Sequence, residues 1–274
     1  MNAKIIAFAN QKGGVGKTTC CVNLAAIITN LQRKVLLVDL DPQGNATMGS
    51  GLNKSEVAFT VGDVLQEKIS ITKAISPNIW FDVLPSNIEV TEAEVNLTKL
   101  NNQQYKLASA LSMVKHNYDF IFIDCPPSLN ILTINALIAA NSILIPMQCE
   151  YYALEGLSAL INTIEGIRTI NKSLVIEGII RTMYDPRNKL CKDVSLQLIE
   201  YFGKLIYGTV IPRNIRLAEC PSHGMPILSY EPNSKGAKAY VKLAKELLKN
   251  NAQTINQKTI REHKTILGKQ KEPA

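Results

Sequence analysis

Residues 10–19 read Asn10-Gln11-Lys12-Gly13-Gly14-Val15-Gly16-Lys17-Thr18-Thr19, with three glycines crowded between two lysines and a pair of hydroxyls behind them. Those residue types at that spacing suit a polyphosphate. Glycines let backbone N–H groups turn inward toward anionic oxygens, and a helix begun near Lys17 aims its positive end at the same charge. Lys17 is expected to reach the β- and γ-phosphates and Thr18 to place its hydroxyl on Mg²⁺, with Gly13, Gly14, Val15, Gly16 and Thr19 completing the cradle. Glycines by themselves would equally make an ordinary tight turn. The two lysines, Thr18 and the apolar run Ile5–Ala9 ahead of the loop select the phosphate reading.

Three carboxylates close apolar runs or the turns that follow them: Asp39, Asp41 and Asp124. A buried carboxylate is costly unless it meets a cation or a metal, so each placement needs a cause. Asp124, after Phe120-Ile121-Phe122-Ile123, suits a metal-bound nucleotide in a chain that also carries the loop, although a strand-end Asp also caps helices and forms turns. Asp41 opens the turn Asp41-Pro42-Gln43-Gly44-Asn45 and suits an Asx turn before Pro42. Phosphoryl transfer asks mainly for positioning and charge neutralisation, which such groups supply.

The elements that must position these residues follow from the patterning. Short apolar runs at 5–9, 35–38, 80–84, 120–124, 143–145, 174–182 and 205–211 read as strands. Helical segments are expected from Lys17, across 89–116 as two helices, from about Leu129, and at 153–170, 190–202 and 234–249. This alternation predicts an α/β fold: a doubly wound, mainly parallel sheet with helices on both faces and its ligand at the carboxyl ends of the strands. A hydrophobic content of 46% with only 6% aromatic residues suits it. Residues 1–249 read as one domain and residues 250–274 as a polar, flexible extension rich in Asn, Gln, Lys and Thr. No apolar run approaches the about 18 residues of a membrane span, and the N-terminus lacks the order of a signal peptide, so a cytoplasmic location is expected. Six cysteines without a C-x-x-C pair fit a reducing compartment, and three scattered histidines support no metal cluster.

Net charge is +7, and residues 1–149 hold 11 basic and 11 acidic side chains against 19 and 12 in residues 150–274. The whole excess is C-terminal. It suits a polyanion such as DNA, or a solvated surface, since 6 of those basic residues lie after Leu248 against 2 acidic ones.

The loop departs from the general pattern G-x-x-x-x-G-K-[ST] at Gln11, and its local form Lys12-Gly13-Gly14-Val15-Gly16-Lys17-Thr18-Thr19 resembles the deviant Walker A motif of the MinD/ParA group of ATPases. The resemblance implies ATP and Mg²⁺, with Lys12 reaching the nucleotide of a partner subunit. Residues Phe120–Asp124 resemble Walker B, whose Asp124 would hold Mg²⁺ through water. Residues Val38–Asn45 resemble switch I, which implies that Asp41 positions the attacking water and Asp39 supports the Mg²⁺ region. Asp39–Asn45, Asp124-Cys125-Pro126-Pro127-Ser128 and Ile211–Gly224 look like the Soj/ParA partition ATPases, and the likeness covers nearly all of residues 3–249.

That family implies an ATPase that is slow without its partner, an ATP-dependent homodimer, non-specific binding to double-stranded DNA, a ParB-type centromere-binding partner, and association with the nucleoid. By motif match Arg187 and Arg216 would contact DNA, and Lys189 and Lys192 would widen the patch, although Lys189-Leu190-Cys191-Lys192 replaces a more polar stretch. Pro212, Arg213 and Asn214 fall where the family packs the adenine; a simple strand-to-helix turn fits them too. MinD-like membrane positioning is the main alternative, and Gln253–Lys271 lacks a convincing apolar face for it. An iron–sulfur carrier on the same scaffold is the other, with Cys125 and Cys149 candidates by position only.

Overall fold

The computed structural model describes residues 3–269, with side chains described through residue 252. Six strands form one sheet: β1 (Lys4–Phe8), β2 (Val35–Asp39), β3 (Asp82–Leu84), β4 (Phe120–Asp124), β5 (Ser142–Gln148) and β6 (Val175–Thr182). They pair in the order β3-β2-β4-β1-β5-β6, and all five pairings are parallel. Their near-continuous apolar runs are what a sheet covered on both faces requires. Ile6, Phe8, Leu37, Phe122 and Leu144 point into one core with helix Lys17–Asn30 and helix Lys235–Lys269. Ile5, Ala7, Leu36, Val38, Ile121 and Ile143 point into the other, with helices Ile131–Ala139, Ala153–Arg168 and Lys189–Phe202. Phe8 and Phe122 meet edge to face, 5.2 Å between centroids, a contact that adds about 1 kcal/mol beyond its buried area. The expected doubly wound α/β architecture is therefore the observed one.

From β1 the chain first builds outward on one side through β2 and later returns to the other side through β5 and β6. The carboxyl end of β1 is thus the place where strand order reverses, and ligands bind outside such points. The glycine loop begins there.

Two expectations are corrected. Residues 205–211 do not form a strand: among the described residues after β6 only isolated bridges occur, Ile179 with Ile206 and Tyr184 with Pro212. Side chains take some of the backbone groups that a ladder would use, while Tyr207 N–H still donates to the Ile179 carbonyl at 3.0 Å and Ile211 N–H to the Arg181 carbonyl at 2.9 Å. Arg181 Nη2 donates to the Tyr207 carbonyl at 2.9 Å, while Glu246 accepts from the N–H groups of Gly208 at 2.7 Å and Thr209 at 3.0 Å. The segment also presses against β6 at Gly178, where a Cβ would lie 2.4 Å from the Tyr207 ring. Secondly, the last helix does not stop at residue 249 but runs from Lys235 to Lys269. Ala237, Tyr240, Leu243, Ala244 and Leu247 bury its inner face, and Asn251 ties it to the sheet through Glu177 at 2.8 Å. The side chains of residues 253–269, and residues 270–274 altogether, lie outside the described residues, as does the reading of an apolar face on Gln253–Lys271. Among the described residues no helix is long and apolar enough to cross a membrane.

Candidate nucleotide site and nucleic-acid interface

The glycine loop joins β1 to helix Lys17–Asn30, whose N-cap Gly16 sits at φ 88°, a left-handed conformation that disfavours residues with a Cβ. No side chain caps that helix and no acidic residue lies in its first turn. Its first N–H groups therefore face the loop with their positive partial charge uncompensated. A Cβ on Gly13 or Gly14 would meet no atom within 4 Å, so the loop leaves open space above its backbone. Asn10 anchors the entry: its Nδ2 donates to the Pro146 carbonyl at 2.8 Å and its Oδ1 accepts from Lys12 N–H at 3.0 Å. The exit is fixed by Thr182, whose hydroxyl donates to the Val15 carbonyl at 2.7 Å.

The two lysines point to different places. Lys17 is 7% exposed, its Nζ donates to the Lys12 carbonyl at 3.2 Å, and burial lowers its pKa against the raising pull of Asp124, Cys125 and Asp41. Lys12 is half exposed and pairs with Glu150, just past the end of β5.

The carboxylates converge beside the loop. Asp39 and Asp124, paired in register at the ends of β2 and β4, are both fully buried. Asp39 accepts from the Thr47 N–H at 2.8 Å and hydroxyl at 2.7 Å, yet burial outweighs these bonds and pushes its carboxyl up to about 6. Asp124 Oδ2 accepts from the Thr18 hydroxyl at 2.6 Å while Oδ1 is buried with no partner. Burial and then Asp39 drive Asp124 well above the usual carboxylate range. A buried, orphaned carboxylate oxygen next to a hydroxyl and an ammonium fits a cation with its own solvent shell. Among the described residues no three His, Cys, Asp or Glu side chains are arranged to hold a metal by themselves. A Mg²⁺ here would therefore take most of its ligands from phosphate and water. Asp41 forms the Asx turn, accepting from Gln43 N–H at 3.0 Å, and its carbonyl accepts from the Ser86 hydroxyl at 2.7 Å.

Behind the loop lies a cavity of about 330 Å³, bounded by Gly16, Thr19, Thr182, Pro212, Asn214 and Tyr240, with Arg213 also at its wall. It is mostly apolar, and Asn214 offers it a buried Oδ1 without a partner. The bridge from Tyr184 to Pro212 sets this wall beside the turn Asp185–Asn188. Arg187 is exposed but held by Asp185 at 2.8 Å, and Arg216 by Glu219 at 2.8 Å. Lys189 and Lys192 are exposed at the start of the next helix. Cys125 and Cys149 are both buried. Sequence reading missed Thr182, Glu150 and the Thr47–Ser86 contact; each acts across more than 30 residues, and only the polar residue at a strand end marked Thr182.

The sheet order, the glycine loop at its switch point and the paired strand-end carboxylates define a P-loop nucleotide-binding protein. A family profile described as an AAA domain matches residues 3–176. The sporulation initiation inhibitor protein Soj of Bacillus subtilis is 51% identical over 250 residues, covering 90% of this chain and 99% of that protein. The chromosome-partitioning ATPase Soj of Treponema pallidum is 46% identical over 253 residues, covering 91% and 99%. Among solved structures, cobyrinic acid a,c-diamide synthase from Mycobacterium smegmatis, with a bound ATP analogue and magnesium, superposes with a TM-score of 0.79 at 34% identity over 90% of this chain and 94% of that one. The chain belongs to the Soj/ParA family of chromosome-partitioning ATPases.

Proposed function

We propose that this protein is an ATP-driven switch for DNA partition. With Mg²⁺ and ATP it pairs with a second copy, grips double-stranded DNA without sequence preference on the nucleoid, and lets go when a ParB-type centromere-binding partner stimulates hydrolysis. Lys17, the loop N–H groups from Gly13 to Thr19 and the positive end of the helix would neutralise the phosphates. Thr18, and Asp39 and Asp124 through water, would hold Mg²⁺, which screens phosphate charge when bound. Asp41 would orient the attacking water, and Pro212, Arg213 and Asn214 would receive the base. Arg187 and Arg216, with Lys189 and Lys192, would contact DNA phosphates.

One observation carries the reading most: Lys17 is buried inside the loop while Lys12 stands half exposed on its outer side. Two lysines of one loop thus face two environments, as a site completed by a second subunit needs. The test measures ATP- and ADP-dependent dimerisation and DNA binding for the wild type, Lys17→Ala, Asp41→Ala and Arg216→Glu. Expected are loss of both properties in Lys17→Ala, a dimer that stays on DNA with ATP in Asp41→Ala, and a dimer that does not bind DNA in Arg216→Glu. Equal DNA affinity with ATP and ADP in the wild type would overturn the switch, and ATP-dependent pelleting with anionic vesicles but not DNA would favour membrane positioning.

A further inference from the structure

Two glycines from distant segments meet back to back. Gly51 lies just past the short helix Asn45–Gly49, and Gly224 ends the turn Cys220–His223 that continues helix Ile215–Glu219. Both are left-handed, at φ 84° and 60°. A Cβ on Gly51 would lie 2.9 Å from the Gly224 carbonyl oxygen, and a Cβ on Gly224 would lie 2.9 Å from the Gly51 Cα. Backbone touches backbone here, and no side chain stands between the two to rotate and absorb a shift.

Each glycine ends a chain of contacts. On one side, Gly51 N–H donates to the Met48 carbonyl at 2.9 Å, Thr47 of the same short helix is bonded to Asp39 through its N–H and hydroxyl, and Gly44 at the helix start donates to the Asp41 carbonyl at 2.9 Å. On the other, Gly224 N–H donates to the Pro221 carbonyl at 3.0 Å and Met225 N–H to the Cys220 carbonyl at 3.2 Å, closing the turn that follows the helix of Arg216. The far end of this segment is anchored separately: Ile227 N–H donates to Asn23 Oδ1 at 2.7 Å, in helix Lys17–Asn30. Residues 215–227 therefore rest on two supports. Asn23 belongs to the helix behind the glycine loop, and Gly51 to the stretch that begins at Asp41. Trp80, the one tryptophan of the chain, packs on the same junction, its ring 3.1 Å from where a Gly51 Cβ would stand.

We propose that Gly51 and Gly224 are positioning residues through which the Asp41 turn sets the placement of Arg216 within a single subunit. A displacement of residues 41–51 on nucleotide binding passes directly from one backbone to the other, and helix Ile215–Glu219 turns about its Asn23 anchor. Side chains at such a junction would soften the push; two left-handed glycines in contact transmit it. The role of Arg216 rests on the proposed function, whereas the mechanical link does not. Pairing of two subunits then joins arginines that each subunit has already placed, so dimerisation and the grip on DNA are separable properties. Linkage makes the effect reciprocal: an anion held by Arg216 acts back on the Asp41 turn.

The test follows amide exchange by mass spectrometry in the full-length protein with Mg-ATP and with Mg-ADP, without DNA, and measures dimerisation and affinity for a non-specific duplex alongside. In the wild type, peptides covering residues 215–225 are expected to exchange differently with the two nucleotides, and Trp80 emission to shift with them. Gly224→Ala sets a Cβ against Gly51, and so does Gly224→Asn, whose residue type tolerates the left-handed backbone and keeps the turn where alanine does not fold. Both variants are expected to dimerise with ATP as the wild type does, to lose the exchange difference, and to bind DNA roughly tenfold more weakly. Equal wild-type exchange with the two nucleotides overturns the proposal. So does an exchange difference that survives in the Gly224 variants, since it then comes from contact between subunits. A nucleotide-dependent exchange difference that the Gly224 variants abolish, in a wild type whose DNA affinity is equal with ATP and ADP, supports the link while sinking the proposed function.

Discussion

Asp39 illustrates what a single residue contributes here. It is fully buried, its carboxyl is pushed up to about 6 by that burial, and only Thr47 and the Asp41 N–H answer it directly. The nucleotide-free fold therefore holds this proton to a higher pH than the unfolded chain does. The contribution of this proton is present in full below the unfolded value near 3.8 and is lost as pH rises through about 6. The stability of the nucleotide-free wild type relative to Asp39→Asn is thus expected to fall between pH 4 and 6 and to level off above. Urea midpoints of both proteins across that range check it; a difference that grows with pH would contradict the burial argument. Asp39, Asp124 and the loop lysines were legible in the sequence because each sits at the end of a recognisable local pattern. Glu150 and Thr182 were not, since their roles arise only where β5 and β6 end next to the loop.

At the scale of elements, patterning read the six strands and the main helices well because apolar runs bounded by polar turns leave few alternatives in a parallel sheet. It failed at residues 205–211, an equally apolar run. There the competition was decided from far away, by Arg181 taking a carbonyl and by Glu246 taking two N–H groups and the Thr209 hydroxyl. Glu246 thus fastens the C-terminal helix to the segment leading into the cavity wall at Pro212. Glu246→Ala leaves the N–H of buried Thr209 without its acceptor, a loss of about 1–3 kcal/mol for an unsatisfied buried donor. A lowered urea midpoint together with faster amide exchange at Gly208 and Thr209 is expected. Unchanged exchange there would mean that the loop is held without Glu246, by its packing on Gly178, the Arg181 side chain and its backbone bonds to β6. The same helix was read as ending at residue 249 because its later sequence is polar, and helix length is poorly marked where apolar spacing fades.

For the whole molecule, the charge imbalance, the paired arginines and the nucleotide loop have to be considered together. Arg187 and Arg216 each lie on an exposed segment next to the cavity wall, and each already has a carboxylate, Asp185 or Glu219, within 2.8 Å. If these arginines meet DNA as proposed, phosphates would have to displace those carboxylates, so each arginine would deliver less than a free one, and exposed pairs of this kind are weak enough to be exchanged. In a dimer the Arg216 side chain occurs twice. Each phosphate neutralised adds about 0.9 to the slope of log affinity against log salt, so Arg216→Ala is expected to flatten that slope by about 2. Glu219→Gln acts the other way: it removes the competing carboxylate, keeps the same slope, and raises ATP-dependent affinity at every salt concentration. Filter binding or fluorescence anisotropy on a non-specific duplex over a salt series distinguishes the two effects. A slope unchanged by Arg216→Ala would show that the arginine meets no phosphate, and the C-terminal excess of charge would then be an ordinary solvated surface.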